Sequence, residues 1–251
     1  MIIWIASYPK SGNTWVRSLI SLLLFSKDGK MNNFGPLRMI EQYPTKKFFF
    51  GLVKDYDNPI EIQKNWINSQ KIINKDKKIR FFKTHHLFCK YGENAFTDDA
   101  NTLGVIHIVR DPRSVAVSYA HHSDIPFEKS VDLLLMDNRI GINNGGYPEA
   151  RMSWKIHFQS WLNCPFPKLL IKYEDLNKDT YNNFKKILVF INQFLRNKFE
   201  INDDKIRKTV ENCSFDNLSK LEREIGFEEK EKNVRFFRKG INNEWKDVLP
   251  D

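Results

Sequence analysis

The first twenty-five residues constrain the fold more than any other stretch. Ile2-Ile3-Trp4-Ile5-Ala6 is a continuous apolar run. Ser7-Tyr8-Pro9-Lys10-Ser11-Gly12-Asn13-Thr14 follows, a polar, turn-forming octet with one lysine. Trp15 to Phe25 is then mostly apolar, rich in leucine and free of proline and glycine. This order predicts a buried strand, a tight loop and a helix. Pro9 fixes one backbone angle, Gly12 allows a turn where a side chain would clash, and Asn13 or Thr14 is placed to cap the helix. Such a loop points several backbone N–H groups and a helix N-terminus at one spot, which is how proteins hold phosphate. Lys10 adds a point charge. The Walker pattern needs two glycines with a lysine directly after the second; here the lysine precedes the loop's single glycine. Read alone, the stretch is also compatible with an ordinary strand–turn–helix carrying a solvated lysine.

Strand-like and helix-like segments alternate along the rest of the chain. Ile79-Arg80-Phe81-Phe82 reads as a second strand running into Lys83-Thr84-His85-His86. Gly104 to Val109 is a third, with strong β-branched content. Lys168 to Tyr173 is a fourth. Helices are expected over Trp66 to Ile73, Ser114 to His122 and Tyr181 to Phe194. The alternation predicts an α/β fold, a single domain over residues 1–251 with a central parallel sheet flanked by helices. Active sites of such sheets lie at the carboxyl ends of the strands. Lys10 follows the first strand, His85 the second, Arg110 the third and Tyr173 the fourth, so one site is expected to collect two cations, a histidine and a phenol.

Some stretches read ambiguously. Phe48-Phe49-Phe50 is core or a helix face, with an apolar wall for a substrate as the alternative. Asn143-Asn144-Gly145-Gly146 is a flexible connection, either a plain surface loop or a lid. Glu222 to Lys239 is densely charged and expected at the surface, with Glu228 to Lys232 a solvated face.

At 251 residues the chain can bury a sizeable core without staples. Its three cysteines, Cys89, Cys164 and Cys213, are odd in number and far apart, which argues against a disulfide framework or a clustered metal site and suits a reducing compartment. The N-terminus has neither the basic region nor the small-residue cleavage site of a signal peptide. The apolar run at Trp15 to Phe25 contains Arg17 and is too short to span a membrane, so a soluble cytoplasmic protein is expected. The net charge of +9 is explained mostly by a lysine-rich surface and in part by an anionic ligand. No nucleic-acid recognition motif is present.

Tyr8-Pro9-Lys10-Ser11-Gly12-Asn13-Thr14-Trp15 resembles the 5′-phosphosulfate loop of the cytosolic-type sulfotransferases. That family uses 3′-phosphoadenosine 5′-phosphosulfate (PAPS) as sulfuryl donor and leaves 3′,5′-diphosphoadenosine (PAP), in a P-loop-like nucleotide-binding architecture. The run Trp4 to Arg17 is especially similar to bacterial sulfotransferases that modify glycopeptide antibiotics, although this element binds the donor and says little about the acceptor. Lys83-Thr84-His85 resembles the family's Lys-Thr-His element, which implies His85 as general base, with His86 beside it as the competing candidate. Val109 to Tyr119 resembles the 3′-phosphate motif, which implies that Arg110 and Ser118 grip that phosphate, leaving Arg113 as a surface arginine. Arg238-Lys239-Gly240 with Glu244-Trp245-Lys246 resembles the Arg-Lys-Gly signature that closes over the same phosphate. Asn243 stands where the family usually has glycine and Glu244 where it has aspartate. Tyr173-Glu174-Asp175-Leu176 and Cys213-Ser214-Phe215 resemble the adenine-contacting elements and, with Trp15, imply an aromatic clamp.

The resemblance implies a sulfotransferase acting by in-line displacement. His85 would take the acceptor proton, while Lys10 and the N–H groups of Ser11, Gly12, Asn13 and Thr14 stabilise charge on the leaving oxygen. Lys83 would hold the sulfuryl oxygens, and no metal is required. The expected acceptor is a small hydroxyl or amine compound, a phenol or partly apolar alcohol. The dimerisation element that some animal members carry before the Arg-Lys-Gly loop is not seen, so a monomer or weak dimer is expected. The alternatives are a phosphotransferase with a related loop, against which the missing Walker lysine position argues, and a basic, non-catalytic binding protein, against which the intact Lys10, His85 and Arg110 set argues.

Overall fold

The computed structural model describes residues 1–26, 28–143, 146–230 and 234–248. Its strands are β1 (Ile2–Ser7), β2 (Glu41–Gln42), β3 (Arg80–Thr84), β4 (Lys90–Tyr91), β5 (Asn94–Ala95), β6 (Thr102–Val109), β7 (Ile140–Ile142), β8 (Pro148–Ala150) and β9 (Lys168–Lys172). Its helices are α1 (Asn13–Phe25), α2 (Pro59–Lys64), α3 (Trp66–Ile73), α4 (Pro112–Ser123), α5 (Phe127–Leu135), α6 (Trp154–Leu162), α7 (Tyr173–Lys178), α8 (Thr180–Asn192), α9 (Asp203–Asn212), α10 (Phe215–Ile225) and α11 (Trp245–Val248). Five strands form a central parallel sheet in the order β2-β3-β1-β6-β9, flanked by helices. All six residues of β1 are buried, which explains why its sequence is continuously apolar instead of alternating. Its register with β3 runs from Ile2 opposite Arg80 to Ala6 opposite Thr84. The edge strand β2 consists of two polar residues, set opposite Phe82 and Lys83. No helix among the described residues is long and apolar enough to cross a membrane.

The chain packs as two compact units. The first comprises Met1–Tyr8, Glu41–His107 and Leu133–Leu170. Its core is aromatic: Trp4, Tyr43, Phe49, Trp66, Phe96, Tyr147 and Trp161 are fully or almost fully buried. The polar edges of buried Trp and Tyr rings usually find partners. The Trp4 indole donates to Thr102 Oγ1 at 2.9 Å, and Thr102 meets Thr97 at 2.7 Å. Thr97 donates to Gln70 Oε1, and Gln70 donates on to the Phe96 carbonyl, both at 2.6 Å. The phenylalanine triplet divides: Phe49 stacks on Tyr147, Phe48 packs edge-on against Phe82, and Phe50 is 85% exposed. A turn of 3-10 helix, Lys46–Phe49, turns the three rings different ways. Of the 143–146 connection, Asn144 and Gly145 lie outside the described residues. Asn143 itself is buried and donates to the Pro44 carbonyl at 2.6 Å.

The second unit comprises Pro9–Ile40, Ile108–Asp132 and Ile171–Asp251. Arg17, inside the leucine-rich α1, is buried and ties three segments. It donates to the carbonyls of Leu37 and Ile40 at 3.2 and 3.0 Å and pairs with Glu229 at 2.5 Å. The expected charged surface over residues 222–239 is found at Arg223, Glu224, Glu228, Lys230, Arg235 and Lys239, which are exposed, but not at Glu222. Glu222 is buried and accepts the backbone N–H groups of Phe236 and Phe237 at 2.7 and 2.8 Å. Phe227, Phe236 and Phe237 pack on one another, and Phe34 packs on Phe227 and Phe237. The rings interrupt the charges and draw the segment inward. Glu228 is exposed beside Arg38, while Glu229 is half-buried; Glu231 and Lys232 lie outside the described residues.

Three histidines of the first unit, His86, His107 and His157, are buried. Burial lowers the pKa of His86 and of His107 to about 4. An unfolded chain takes up those protons near ~6.5. Stability is therefore full above that pH and falls as acid is added, by up to about 1.4 kcal/mol per pH unit for each ring. Thermal melts should show Tm dropping between about pH 6.5 and about pH 4; a constant Tm over that range would show that these rings are not held neutral.

Candidate functional site

In the second unit the loop between β1 and α1 is built around two left-handed residues, Lys10 at φ +66° and Gly12 at φ +99°. Gly12 is the N-cap of α1 and makes no side-chain cap. The expectation that Asn13 or Thr14 caps the helix is therefore corrected. Both already lie within α1, and Thr14 Oγ1 instead donates to Glu229 at 3.1 Å. A Cβ on Gly12 would stand 2.6 Å from the Tyr173 ring, so glycine is required for both torsion and space. Ser11 Oγ is buried with no hydrogen-bond partner among the described residues. Lys10 Nζ lies 3.9 Å from the Phe236 ring centroid.

Arg110 immediately follows β6 and is fixed from three sides. Its Nη1 donates to the Lys10 carbonyl at 3.2 Å, its Nη2 donates to the Ile241 carbonyl at 3.3 Å, and its guanidinium lies 4.2 Å from the Tyr173 ring centroid. Arg110 Nε is buried with no partner among the described residues. Asp111 caps α4 and pairs with Arg113 at 2.6 Å, so Arg113 takes up the acid that could have engaged Arg110. Arg113 also stacks 3.6 Å over Trp245. Ser118 lies half-buried on α4.

Trp15 packs edge-on to Tyr173 at 5.9 Å and donates its indole N–H to the Cys213 carbonyl at 2.9 Å. The Cys213 thiol is buried, and what the residue offers Trp15 is its backbone. Phe215 opens α10, with Gly240 packed so tightly on its ring that a Cβ there would collide. Arg238 and Lys239 both pair with Glu244, the Lys239 contact being 2.9 Å.

In the first unit, His85 immediately follows β3. Its Nδ1 lies 2.7 Å from the Ser7 carbonyl and 3.3 Å from Ser7 Oγ. A carbonyl only accepts, so Nδ1 carries the proton and Nε2 presents its lone pair. Burial, then the charges of Lys83 and Arg151, lower its pKa well below the ordinary value, opposed by the bond to Ser7. Lys83 is buried on β3. His86 lies stacked on Phe96 at 4.6 Å, with Nδ1 donating to the Leu87 carbonyl at 2.7 Å, which makes it part of the core.

Sequence reasoning missed the groups that support these residues. Arg151 donates to the Ile142 carbonyl at 2.9 Å and pairs at 3.1 Å with Glu149, which is fully buried. Gly141 leaves the space that the Arg151 guanidinium occupies. Glu174 accepts the Asp111 N–H at 3.0 Å. Glu174 and Glu244 stood within the quoted motifs; Glu149 and Arg151 carried no signal beyond an acid and a base two residues apart.

A family model described as the sulfotransferase domain matches residues 2–251. A flavonol 3-sulfotransferase of Flaveria bidentis is 28% identical over 99% of this chain and 77% of its own length. Sulfotransferase 2A2 of Rattus norvegicus is 28% identical over 97% of this chain and 76% of its own. Among solved structures, retinol dehydratase in complex with retinol and PAP superposes with a TM-score of 0.64 at 18% identity, over 99% of this chain and 76% of that one. A mouse sulfotransferase complexed with PAP gives 0.62 at 21% identity, over 99% and 78%.

The Gly12 geometry is directly testable. Gly12→Ala places a side chain at a left-handed torsion against the Tyr173 ring, and should cost at least ~1–2 kcal/mol. That corresponds to a Tm roughly 2–8 °C lower for a chain of this size. A Tm unchanged within a degree would show that the loop lies farther from Tyr173.

Proposed function

The chain belongs to the sulfotransferase domain family and is a PAPS-dependent sulfotransferase, and on that premise we propose that His85 is its general base and that its acceptor is a small hydroxyl or amine compound. The observation that carries this reading is the 2.7 Å bond from His85 Nδ1 to the Ser7 carbonyl. It leaves Nε2 as a proton acceptor, and the depressed pKa keeps the ring in its basic form at neutral pH. His86, stacked on Phe96, is a packing residue in this reading.

PAPS supplies an activated sulfuryl group. The buried polar atoms without partners at Ser11 and Arg110, the uncapped start of α1 and the cations of this unit suit such an anionic donor. Lys10 and the N–H groups of residues 11–14 would hold its 5′ side. Arg110, Ser118, Arg238, Lys239 and Gly240 would hold the 3′-phosphate, arginine forks matching phosphate oxygens better than lysine does. Trp15, Tyr173, Phe215 and the Cys213 backbone would bound the base. Lys83 would orient the sulfuryl oxygens. No metal is needed, because the charge that develops is met by cations and backbone donors.

Relatives named for flavonols, and solved neighbours bound to retinol or androsterone, favour a partly apolar alcohol or phenol here. The unpaired Cys89, Cys164 and Cys213 suit a reducing, cytoplasmic setting.

Calorimetric titration should show PAP binding far more tightly than ADP; equal affinities would overturn the assignment of the 3′-phosphate residues. Arg110→Ala should weaken PAP binding by ~1.5–3 kcal/mol, the range for a charged hydrogen bond, and unchanged affinity would remove Arg110 from the site. His85→Ala should abolish turnover with labelled PAPS while PAP affinity stays within about twofold. The pH profile of kcat/KM should hold its plateau below ~6.5, because a base with a lowered pKa is protonated only in stronger acid. A limb at or above that value, or an active His85→Ala enzyme, would overturn the base assignment.

A further inference from the structure

The two cations at positions 238 and 239 share one internal carboxylate. Glu244 pairs with Arg238 and, at 2.9 Å, with Lys239, and is only 7% exposed. The turn between them is held at several points. Asn177 donates to the Gly240 carbonyl at 3.1 Å, Arg110 donates to the Ile241 carbonyl at 3.3 Å, and Gly240 rests on the Phe215 ring. Asn243 takes a left-handed torsion, φ +62°, just before Glu244. The turn thus returns a carboxylate to the cations that begin it.

We propose that Glu244 is a built-in counter-ion that competes with the nucleotide 3′-phosphate for Arg238 and Lys239, setting how tightly nucleotide is held and how readily product leaves. This rests on the donor-site reading above. A phosphate monoester carries up to two charges and three terminal oxygens, so it can displace a single carboxylate. The displacement must first break two charged contacts, and observed affinity is the intrinsic affinity reduced by the fraction of molecules whose cations are released. Burial acts to raise the Glu244 carboxyl, but the hydrogen bonds from Arg238 and Lys239 outweigh it and hold its pKa at about 2. The carboxylate is therefore charged throughout the neutral range. Arg110 and His121 are the other basic groups that interact with this cluster, and Glu174 is the other acid facing Arg110. Neither acid nor base among them matches the two-handed contact of Glu244. Because departure of product limits many enzymes, an internal competitor at the product's own phosphate would shorten its residence.

The test is calorimetry of the full chain and of Glu244→Gln with PAP and with ADP, which lacks the 3′-phosphate. Glutamine keeps the size and removes the charge. If the paired state holds about nine molecules in ten, PAP binding tightens roughly tenfold, with ADP unchanged. Arg238→Ala added to Glu244→Gln should cancel most of the gain. Unchanged or weaker PAP binding by Glu244→Gln would mean that Glu244 positions the cations for phosphate instead of competing with it, and would overturn the proposal. Equal tightening for PAP and ADP would overturn it too, since the charge would then act on the nucleotide as a whole. Equal wild-type affinities for PAP and ADP would instead defeat the donor-site reading itself. Should Glu244→Gln fail to fold, Glu244→Asp, whose shorter side chain loosens the pairing, is read in the same way with a smaller gain.

Discussion

The absence of a side chain at Gly12 is the constraint on which the second unit of this molecule depends. Because no Cβ stands there, the loop lies directly on the Tyr173 ring. That ring also meets the Arg110 guanidinium and the edge of Trp15. Trp15 in turn fastens to the backbone at Cys213. Segments a hundred and more residues apart in sequence are thereby gathered on one phenol, and Arg110 adds the tie back to Lys10. The dispersion and cation–π contacts involved are individually about 1 kcal/mol or less. Their shared dependence on one close approach is what couples the loop to the rest.

The parts of the fold legible in the sequence were those in which side chains alone decide structure. The apolar runs of β1, β3, β6 and β9 name themselves, and the residues that follow them, Lys10, His85, Arg110 and Tyr173, sit at the strand ends as the pattern requires. The edge strand β2 was invisible because Glu41 and Gln42 have no strand signature; backbone pairing with Phe82 and Lys83 makes them a strand. Within the largely exposed stretch from Glu222 to Lys239, the burial of Glu222 went unseen for a related reason. Charges dominate the composition there, yet Glu222 is satisfied by two backbone N–H groups, and every residue other than proline has one of those. The different surroundings of His85 and His86, the Ser7 carbonyl for one and the Phe96 ring for the other, are not marked by sequence spacing.

Several cations are answered internally by single carboxylates placed where burial strengthens them. Glu229 faces Arg17, Glu149 faces Arg151, and Glu244 faces Arg238 and Lys239. Removing one partner of a buried pair is far more damaging than the net worth of the pair suggests, because the charge left behind loses its compensation. A net charge of +9 is therefore a poor guide to which cations a ligand can reach. The arrangement also separates two uses of arginine. Arg17, Arg110 and Arg151 all donate to backbone carbonyls, and what sets Arg110 apart is that no carboxylate pairs with it among the described residues.

Lys10 has a consequence for how variation at this site would be judged. It sits at φ +66°, a torsion that costs an L-residue roughly 1–2 kcal/mol and glycine almost nothing. A glycine there would relieve that strain, lose the contact with Phe236, worth about 0.5–1 kcal/mol, and gain unfolded-chain freedom worth about 0.4–1 kcal/mol. These contributions nearly cancel. Expression level, solubility and melting temperature would all pass such a protein as sound while its point charge was gone. On the proposed reading of Lys10, position 10 is a place where the demands of folding and of chemistry come apart, and a survey that reads only stability would record the loss of that charge as harmless.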